Sequence, residues 1–209
     1  HSPDADGLVL IAQNAVGNHR DSREAHFARR LQEAGFATLI SVPVGLLTAI
    51  YLSEYGRGSL ARGITFFVDV MTGIPSIVAG LFAYALMAIL FGPGTITGFS
   101  GSLALSVLMI PIVVRATEEL LRIVPNELRE ASYALGVPKW RTILRIVLPT
   151  AVSGIVAGVI LAIARIIGET APLMVAAGFT QSVNTNFFSG PMMTLPTFVY
   201  DQYAYRGVP

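Results

Sequence analysis

The sequence contains no cysteine and a single lysine among its 209 residues, and both shortages exclude whole classes of site. Without cysteine, disulfide bonds and thiolate metal sites cannot form. The lysine, Lys139, follows Pro138, whereas the phosphate-binding loop of nucleotide hydrolases needs a glycine directly before its lysine. If this protein uses ATP, another chain must therefore hydrolyse it. We expect no catalytic residue, no cofactor and no metal in this chain.

Charged residues are also scarce. Asp, Glu, Lys and Arg make up 13% of the chain, and 53% of it is hydrophobic, whereas soluble domains carry about a quarter charged residues. Charge is absent from residues 34–53, 70–114, 146–164 and 170–200. Because a helix needs about 20 apolar residues to cross a bilayer, the sequence predicts an all-α polytopic membrane protein. This excludes a nucleic-acid-binding protein and an ordinary soluble enzyme.

Four transmembrane helices are predicted, at residues 35–52, 64–91, 102–121 and 150–178. Pro75, in the segment Gly73-Ile74-Pro75-Ser76, cannot donate a backbone hydrogen bond, so we predict a kink in the second helix. A polar loop, 122–149, separates the last two helices, and a mostly uncharged tail, 179–209, follows them.

Basic residues predict the orientation. The loop at 53–63 has two arginines and the stretch 115–145 has six basic residues, whereas 92–101 has none. Short loops rich in Lys and Arg stay in the cytoplasm. Both basic loops therefore face inward, and the segment before residue 34 lies outside together with the tail.

Residues 1–33 form an atypical segment, because they carry four arginines on the side where the rule expects few. We predict a strand at Gly7–Gln13, an amphipathic helix at Arg20–Ala34 and a second strand at Phe36–Ile40. This order resembles the opening of an α/β-hydrolase over about residues 7–40, although no G-x-S-x-G elbow is present. The segment is either extracytoplasmic or chimeric. Since the chain begins at His1 without a signal peptide, we expect the natural chain to start further upstream.

The polar loop predicts two short helices joined at a glycine. Asn126 is the expected N-cap of the first helix, whose face carries Leu128, Ala131 and Leu135. Gly136 ends that helix, and a second helix runs from Pro138 to Pro149. From periodicity alone, this elbow is also typical of a connector that lies on the membrane surface.

The same loop carries a motif, E-A-x-x-x-x-G-x(9)-I-x-L-P, formed by Glu130, Ala131, Gly136, Ile146, Leu148 and Pro149. It resembles the EAA loop of ABC importer permeases, with Ser132 in place of a second alanine. The resemblance implies the type I, MetI-like permease fold, of which four of the usual six helices are visible within residues 34–209. It also implies that these six residues belong to coupling helices that dock on ATPase subunits.

The segments around Arg115 and Arg165, including R-I-I-G-E-T-A-P-L, resemble permeases of phosphate ABC importers from about residue 36 to the C-terminus. The resemblance implies a multi-pass permease subunit of the bacterial inner membrane that imports inorganic phosphate. Its partners would be ABC ATPases, a homologous second permease and an extracytoplasmic phosphate-binding protein. Two alternatives remain: a permease for another oxyanion, such as sulfate or molybdate, and an inactive truncated or chimeric fragment.

Two charges lie deep in the fourth helix. Arg165 and Glu169 are four residues apart, which predicts one helical face, about 24 Å beyond Pro149 at 1.5 Å per residue. Charges at that depth are functional candidates, and a guanidinium suits a tetrahedral oxyanion. The alternative is a mutually neutralising pair that only fixes helix packing. The family resemblance implies that both Arg115 and Arg165 take part in phosphate passage. An arginine near a helix end, such as Arg115, often simply extends its charged group to the membrane surface.

A stripe of small residues, Gly154, Gly158 and Ala162, leads along the same helix towards Arg165. Small residues allow helices to approach closely. The stripe predicts either packing within this subunit or a seam with a partner permease.

Overall fold

The structure is a computed structural model that describes residues 4–92 and 97–176, with side chains from residue 27 onward except residue 174. The helices are α1 (Asp4–Ile50), α2 (Ser59–Gly73), α3 (Ser76–Phe91), α4 (Gly98–Ile123), α5 (Asn126–Ala134), α6 (Lys139–Thr142), α7 (Leu148–Ile167) and α8 (Ala171–Ala176). A π-helical turn, Tyr51–Tyr55, extends α1, and another, Ile143–Val147, joins α6 to α7. The predicted tail, 179–209, lies outside the described residues.

Three of these helices are long and apolar enough to cross a membrane. In the described part of the chain they are Phe27–Tyr55, Gly98–Ile123 and the continuous helix Lys139–Gly168. The third predicted span, 102–121, lies within the helix Gly98–Ile123, which is a few residues longer at each end. The first span starts earlier than residue 35, because the apolar helix already includes Phe27.

Helices α1 and α4 pack side by side and run in the same direction. Ser41 Oγ donates to the Ser106 carbonyl at 3.2 Å. One turn further, Gly45 approaches Val113 so closely that a Cβ on the glycine would lie 2.7 Å from Val113 Cγ1. Residue numbers thus rise together along both helices, which means that α1 and α4 end on the same side of the membrane.

The segment between them, α2 and α3, must therefore carry the chain back across. Each helix is too short to cross a membrane alone, but the two together are long and apolar enough, and they meet at a bend of 111°. Because α1 and α4 are parallel, the pair is a broken span rather than a loop that returns to its own side. The kink predicted at Pro75 is confirmed, and it is a full break: α2 ends at Gly73 and α3 begins at Ser76.

Helix α7 runs back against α4, and the small-residue stripe lies in that contact. A Cβ at Gly154 would lie 2.6 Å from Leu120 Cδ2, and one at Gly158 would lie 3.1 Å from Ala116 Cβ. Ala162 is fully buried. The stripe therefore packs within this subunit, as the first of its two interpretations predicted.

The fourth predicted span is shorter than expected, because α7 ends at Ile167 and α8 begins at Ala171. Pro172 explains the break: its ring would clash with the carbonyl of residue 168 in a continuous helix, whereas the first turn of a new helix tolerates proline. Helix α8 then packs on α3 at Gly80, where a Cβ would lie 2.6 Å from the Pro172 carbonyl oxygen.

The strands predicted near the N-terminus are wrong. Both Gly7–Gln13 and Phe36–Ile40 lie inside α1, which also crosses the predicted boundary at residue 33 without interruption. Short apolar runs cannot be assigned to a strand or a helix by periodicity alone. Here the second run continues into the first membrane helix, which decides in favour of the helix.

The second helix predicted in the polar loop is also corrected, because it does not stop at Pro149. The π-helical turn Ile143–Val147 precedes that proline, and the helix continues through it into α7. Asn126 is the first residue of α5 rather than its N-cap, which is Pro125. Its Oδ1 atom instead accepts a hydrogen bond from Arg129 at 3.3 Å.

The broken span and the basic loops together predict the side on which two exposed positions lie. In a chain without native cysteine, Phe91→Cys should react with an impermeant thiol reagent outside intact cells, and Ser59→Cys should react only after permeabilisation. Labelling of both positions from one side would mean that α2 and α3 do not cross together.

Candidate functional site

A cavity of about 160 Å³ lies where α2 and α3 meet α4 and α7. It is lined by Met71, Thr72, Ile74 and Ser76 around the break, by Leu108, Pro111 and Ile112 of α4, and by Arg165, Ile166 and Glu169. About half of the lining is polar, because it includes the hydroxyl groups of Thr72 and Ser76, the Arg165 guanidinium and the Glu169 carboxylate. Such a set accepts a small polar or charged ligand.

Arg165 and Glu169 both line this cavity, but only Arg165 lies in a helix. Arg165 lies in the last turn of α7, whereas Glu169 lies beyond its C-cap, Gly168. The prediction that they share one helical face is therefore wrong, although both side chains line the same space. No ion pair joins them within the described structure, and Arg165 is exposed. This removes the main support for a mutually neutralising pair.

An arginine from α1 closes the end of α7. The Arg30 guanidinium donates to the carbonyls of Ile167 at 3.0 Å, Glu169 at 2.8 Å and Ile166. The last carbonyls of a helix have no partner within it, and a cation there also interacts favourably with the helix dipole. Arg30 thus holds the backbone that carries Glu169 into the cavity.

Glu33 lies one turn along α1 and is fully buried. Its carboxylate is 3.8 Å from Arg30 Nη1, and neither of its oxygens accepts a hydrogen bond from the residues that the structure describes. Charges inside a membrane span are costly and mark functional candidates. Arg30 and Glu33 were not predicted as site residues, because residues 1–33 were assigned to a separate segment. Their position directly before the uncharged run that begins at residue 34 could have identified them.

Arg115 does not line the cavity. It lies one helical turn inward on α4, where it donates to Glu118 at 2.9 Å, to Asp69 of α2 and to the Thr65 carbonyl at 3.5 Å. Glu118 is nearly buried and also accepts from Arg122 at 2.7 Å. Rather than snorkelling, Arg115 is held in a charge network beneath the cavity, and Asp69 and Glu118 are members of it that the sequence did not predict.

The polar loop that carries the E-A-x-x-x-x-G motif forms an elbow, which we define as residues 126–142. Its corner is Gly136, whose φ of +76° is a conformation that favours glycine. The N–H of Gly136 donates to the Tyr133 carbonyl at 2.9 Å and that of Val137 to the Ser132 carbonyl at 3.2 Å. These two bonds are the Schellman motif that ends a helix at glycine.

A second contact fixes the angle of the elbow. The hydroxyls of Ser132 and Thr142 are 2.8 Å apart and buried between α5 and α6. Ser132 is the motif position that departs from alanine, so the departure supplies an internal hydrogen bond. The elbow is therefore a rigid corner rather than a flexible linker.

The residues of the motif divide between the surface and the base of the elbow. Glu130, Ala131 and Gly136 are exposed, as are Leu128 and Leu135 of the predicted face. Ile146 and Leu148 are half-buried, and Pro149 is exposed at the start of α7. Leu135 is 83% exposed, so the elbow presents an apolar side chain at its surface.

No three His, Asp or Glu side chains in the described ranges lie close enough together to hold a metal ion. The polar cavity holds Arg165 and Glu169, and the elbow holds Glu130, Ala131 and Gly136, so these two places are candidate sites.

The chain is similar to known membrane proteins over most of its length. Residues 41–200 match the family described as binding-protein-dependent transport system inner membrane component. Phosphate transport system permease protein PstA 1 of Mycobacterium tuberculosis H37Rv is 54% identical over 172 residues, which are 82% of this chain and 56% of that protein. PstA of Yersinia pestis is 45% identical over 79% of this chain and 55% of its own. The chain thus spans a little over half the length of these relatives.

A solved structure shows the same fold. A chain of the MetNI methionine ABC transporter, in an inward-facing conformation, superimposes with a TM-score of 0.65 and is 23% identical. The match covers 88% of this chain and 79% of that one.

The glycine corner of the elbow leads to a prediction about local stability. Gly136→Ala should destabilise the elbow by about 1–2 kcal/mol, because an L-residue is strained at positive φ, and Gly136→Asn should cost less. Trp140, the only tryptophan, lies in α6, so its emission during urea titration reports on the elbow.

Gly63→Ala is the matched control, because an added methyl group there meets no atom within 4 Å and the backbone is helical. Equal midpoints for Gly136→Ala and Gly63→Ala would show that the positive φ is not required.

Proposed function

Since the chain belongs to the family of binding-protein-dependent transport system inner membrane components, we propose that it is a permease subunit of an ATP-driven phosphate importer. Its location is the bacterial inner membrane, which it crosses several times. The proposal extends to this chain what the names of its relatives state. One structural observation carries it: the Arg165 guanidinium lines a polar cavity at the break of a membrane span.

The cavity offers the groups that an oxyanion needs. A guanidinium presents several donors in a fixed plane and binds tetrahedral oxyanions through charge-assisted hydrogen bonds. Ser76 adds a hydroxyl group that donates to a further oxygen, whereas the Thr72 hydroxyl donates to the Val68 carbonyl at 2.8 Å. A volume of about 160 Å³ exceeds the roughly 30 Å³ that one water molecule occupies in the liquid, so an oxyanion enters with part of its hydration. Glu169 accepts a hydrogen bond from a protonated phosphate oxygen.

Arg115 is a second station on the inward side. In this structure its guanidinium is engaged by Asp69 and Glu118, so a passing anion replaces the exposed Asp69 carboxylate, while the nearly buried Glu118 stays in place. The exchange keeps the guanidinium paired before and after passage. Arg115 is therefore never left as an unpaired charge within the membrane, which would be costly.

The elbow is the docking site for ATPase subunits. Its exposed motif residues and the apolar Leu135 face a partner, and its rigid corner transmits a rigid-body movement into the helices. ATP hydrolysis occurs in those partners, since this chain lacks the phosphate-binding lysine loop. A homologous second permease and an extracytoplasmic phosphate-binding protein complete the importer.

The first test concerns Arg165. In the assembled transporter, Arg165→Gln should lower phosphate uptake by about tenfold to a hundredfold, because hydrogen bonds to a charged group contribute about 1.5–3 kcal/mol. Arg165→Lys should also be impaired, since a point charge does not replace a planar group. Uptake of labelled phosphate into proteoliposomes measures the effect, with sulfate and molybdate as competitors.

Arg57→Gln is the matched control, because it removes an exposed arginine far from the cavity. Because Arg165 and Glu169 form no ion pair, Arg165→Gln should not reduce the yield of assembled complex. If adding Glu169→Gln restored uptake, Arg165 would be a structural neutraliser. Stronger inhibition by sulfate or molybdate than by unlabelled phosphate would assign another oxyanion.

The second test concerns the elbow. Glu130→Lys reverses an exposed charge within the motif, so it should leave insertion intact and abolish the stimulation of ATP hydrolysis by the loaded binding protein. ATPase assays on purified complexes, together with the amount of co-purified ATPase subunit, measure this. Glu127→Lys makes the same charge change one turn earlier in α5. Equal losses in both variants would indicate a general charge effect rather than docking by the motif.

A further inference from the structure

Two charged residues tie the elbow to helices that are not continuous with it. Elbow residue Arg129 reaches the end of α1 and the end of α4, and Lys139 reaches the same end of α1. We propose that Arg129 and Glu54 are positioning residues that form a latch, through which movement of the elbow reaches α1 and α4 as well as α7. The inference rests on the proposed docking of ATPases at the elbow.

Arg129 uses most of its donors in this latch. Its Nε and Nη2 atoms donate to Glu54 Oε1 at 3.2 and 2.9 Å. The same guanidinium donates to the carbonyls of Leu121 at 2.8 Å and Val124 at 2.6 Å, which close the C-terminal end of α4. Its side chain is only 13% exposed. One planar group therefore joins α4, α5 and the end of α1.

Glu54 is fixed from both its side chain and its backbone. The carboxylate is 5% exposed, and the backbone carbonyl accepts from Lys139 Nζ. The Lys139 ammonium also lies 4.7 Å from the centre of the Tyr55 ring, within the range of a cation–π contact. Glu54 and Tyr55 both lie in the π-helical turn that ends α1, and such turns occur frequently at functional sites.

Without the latch, the elbow would be connected firmly to α7 but only loosely to α4 and α1. It is continuous with α7 through the helix Lys139–Gly168. It joins α4 only through the extended residues Val124 and Pro125, with ψ of 124° and 139°, and it has no covalent connection to α1 nearby. An extended joint permits rotation, so the latch is what makes α1 and α4 follow the elbow.

A purely structural ion pair would stabilise the fold without affecting this transmission, and a distance measurement separates the two roles. Spin labels at Leu47→Cys on α1 and Glu127→Cys on α5 use two exposed positions in a chain without native cysteine. In the transporter assembled with its ATPase subunits, a non-hydrolysable ATP analogue should leave this distance unchanged. With Glu54→Gln, the same addition should shift or broaden it.

Glu119→Gln is the matched control, because it removes an exposed carboxylate from α4 without touching the latch, and its distance should stay unchanged. A wild-type distance that changes with nucleotide would overturn the proposal, as would an unchanged distance in Glu54→Gln.

If Glu54→Gln lowers the yield of complex, Glu54→Gln with Arg129→Gln removes both charges and should show the same shift. The measurement needs no transported substrate, so it is independent of the phosphate assignment. ATPase subunits that fail to bind the wild-type chain would instead refute the proposed docking.

Transport gives the second measurement. In proteoliposomes, Glu54→Gln should lower the phosphate imported per ATP hydrolysed by about fivefold or more, the lower range of coupling between linked sites. Glu119→Gln should leave the ratio unchanged. A merely structural pair would reduce the amount of active complex and not the ratio, so an unchanged ratio in Glu54→Gln would overturn the latch.

Discussion

The parallel packing of α1 on α4 is the constraint on which the other features depend. Gly45 permits the close approach, and the two helices end together on the same side of the membrane. The chain must then return between them, and α2 and α3 make that return as a broken span. The break brings Thr72 and Ser76 beside α7, and the shared inner end brings Glu54 within reach of Arg129. Cavity and latch are thus both consequences of one helix pair.

Arg30 and Arg129 are largely buried guanidinium groups that each close a helix end and lie beside a carboxylate. Arg30 takes the last carbonyls of α7, and Arg129 takes those of α4. Water is absent from the bilayer core, so unsatisfied carbonyls there are costly. Arg165 differs, since it faces the cavity and forms no ion pair with any residue that the structure describes. That difference, rather than its depth alone, is the reason for proposing Arg165 as the ligand-binding arginine.

The sequence predicted the elements that are determined by local chemistry. Runs without charge located the membrane helices, Pro75 located the break, and Gly136 located the corner of the elbow; the all-α permease fold was confirmed. Partners distant in sequence were not predictable. Arg129 and Glu54 are 75 residues apart and Arg30 and Ile167 are 137 apart, so no periodicity links them. The break at Gly168 was missed because Pro172 was counted as part of an apolar run.

Helix α4 connects the two candidate sites. Its outer half lines the cavity at Leu108, Pro111 and Ile112, its inner half carries Arg115, and Arg129 holds its end. Pro111 removes one backbone hydrogen bond within α4, and a helix bends most easily at such a position. If the elbow couples to ATPase subunits as proposed, its displacement should move the inner half of α4 relative to α2, where Asp69 holds Arg115. We expect this ion pair beneath the cavity to be strained first, so that the elbow acts on the inward exit of the cavity rather than on Arg165 itself.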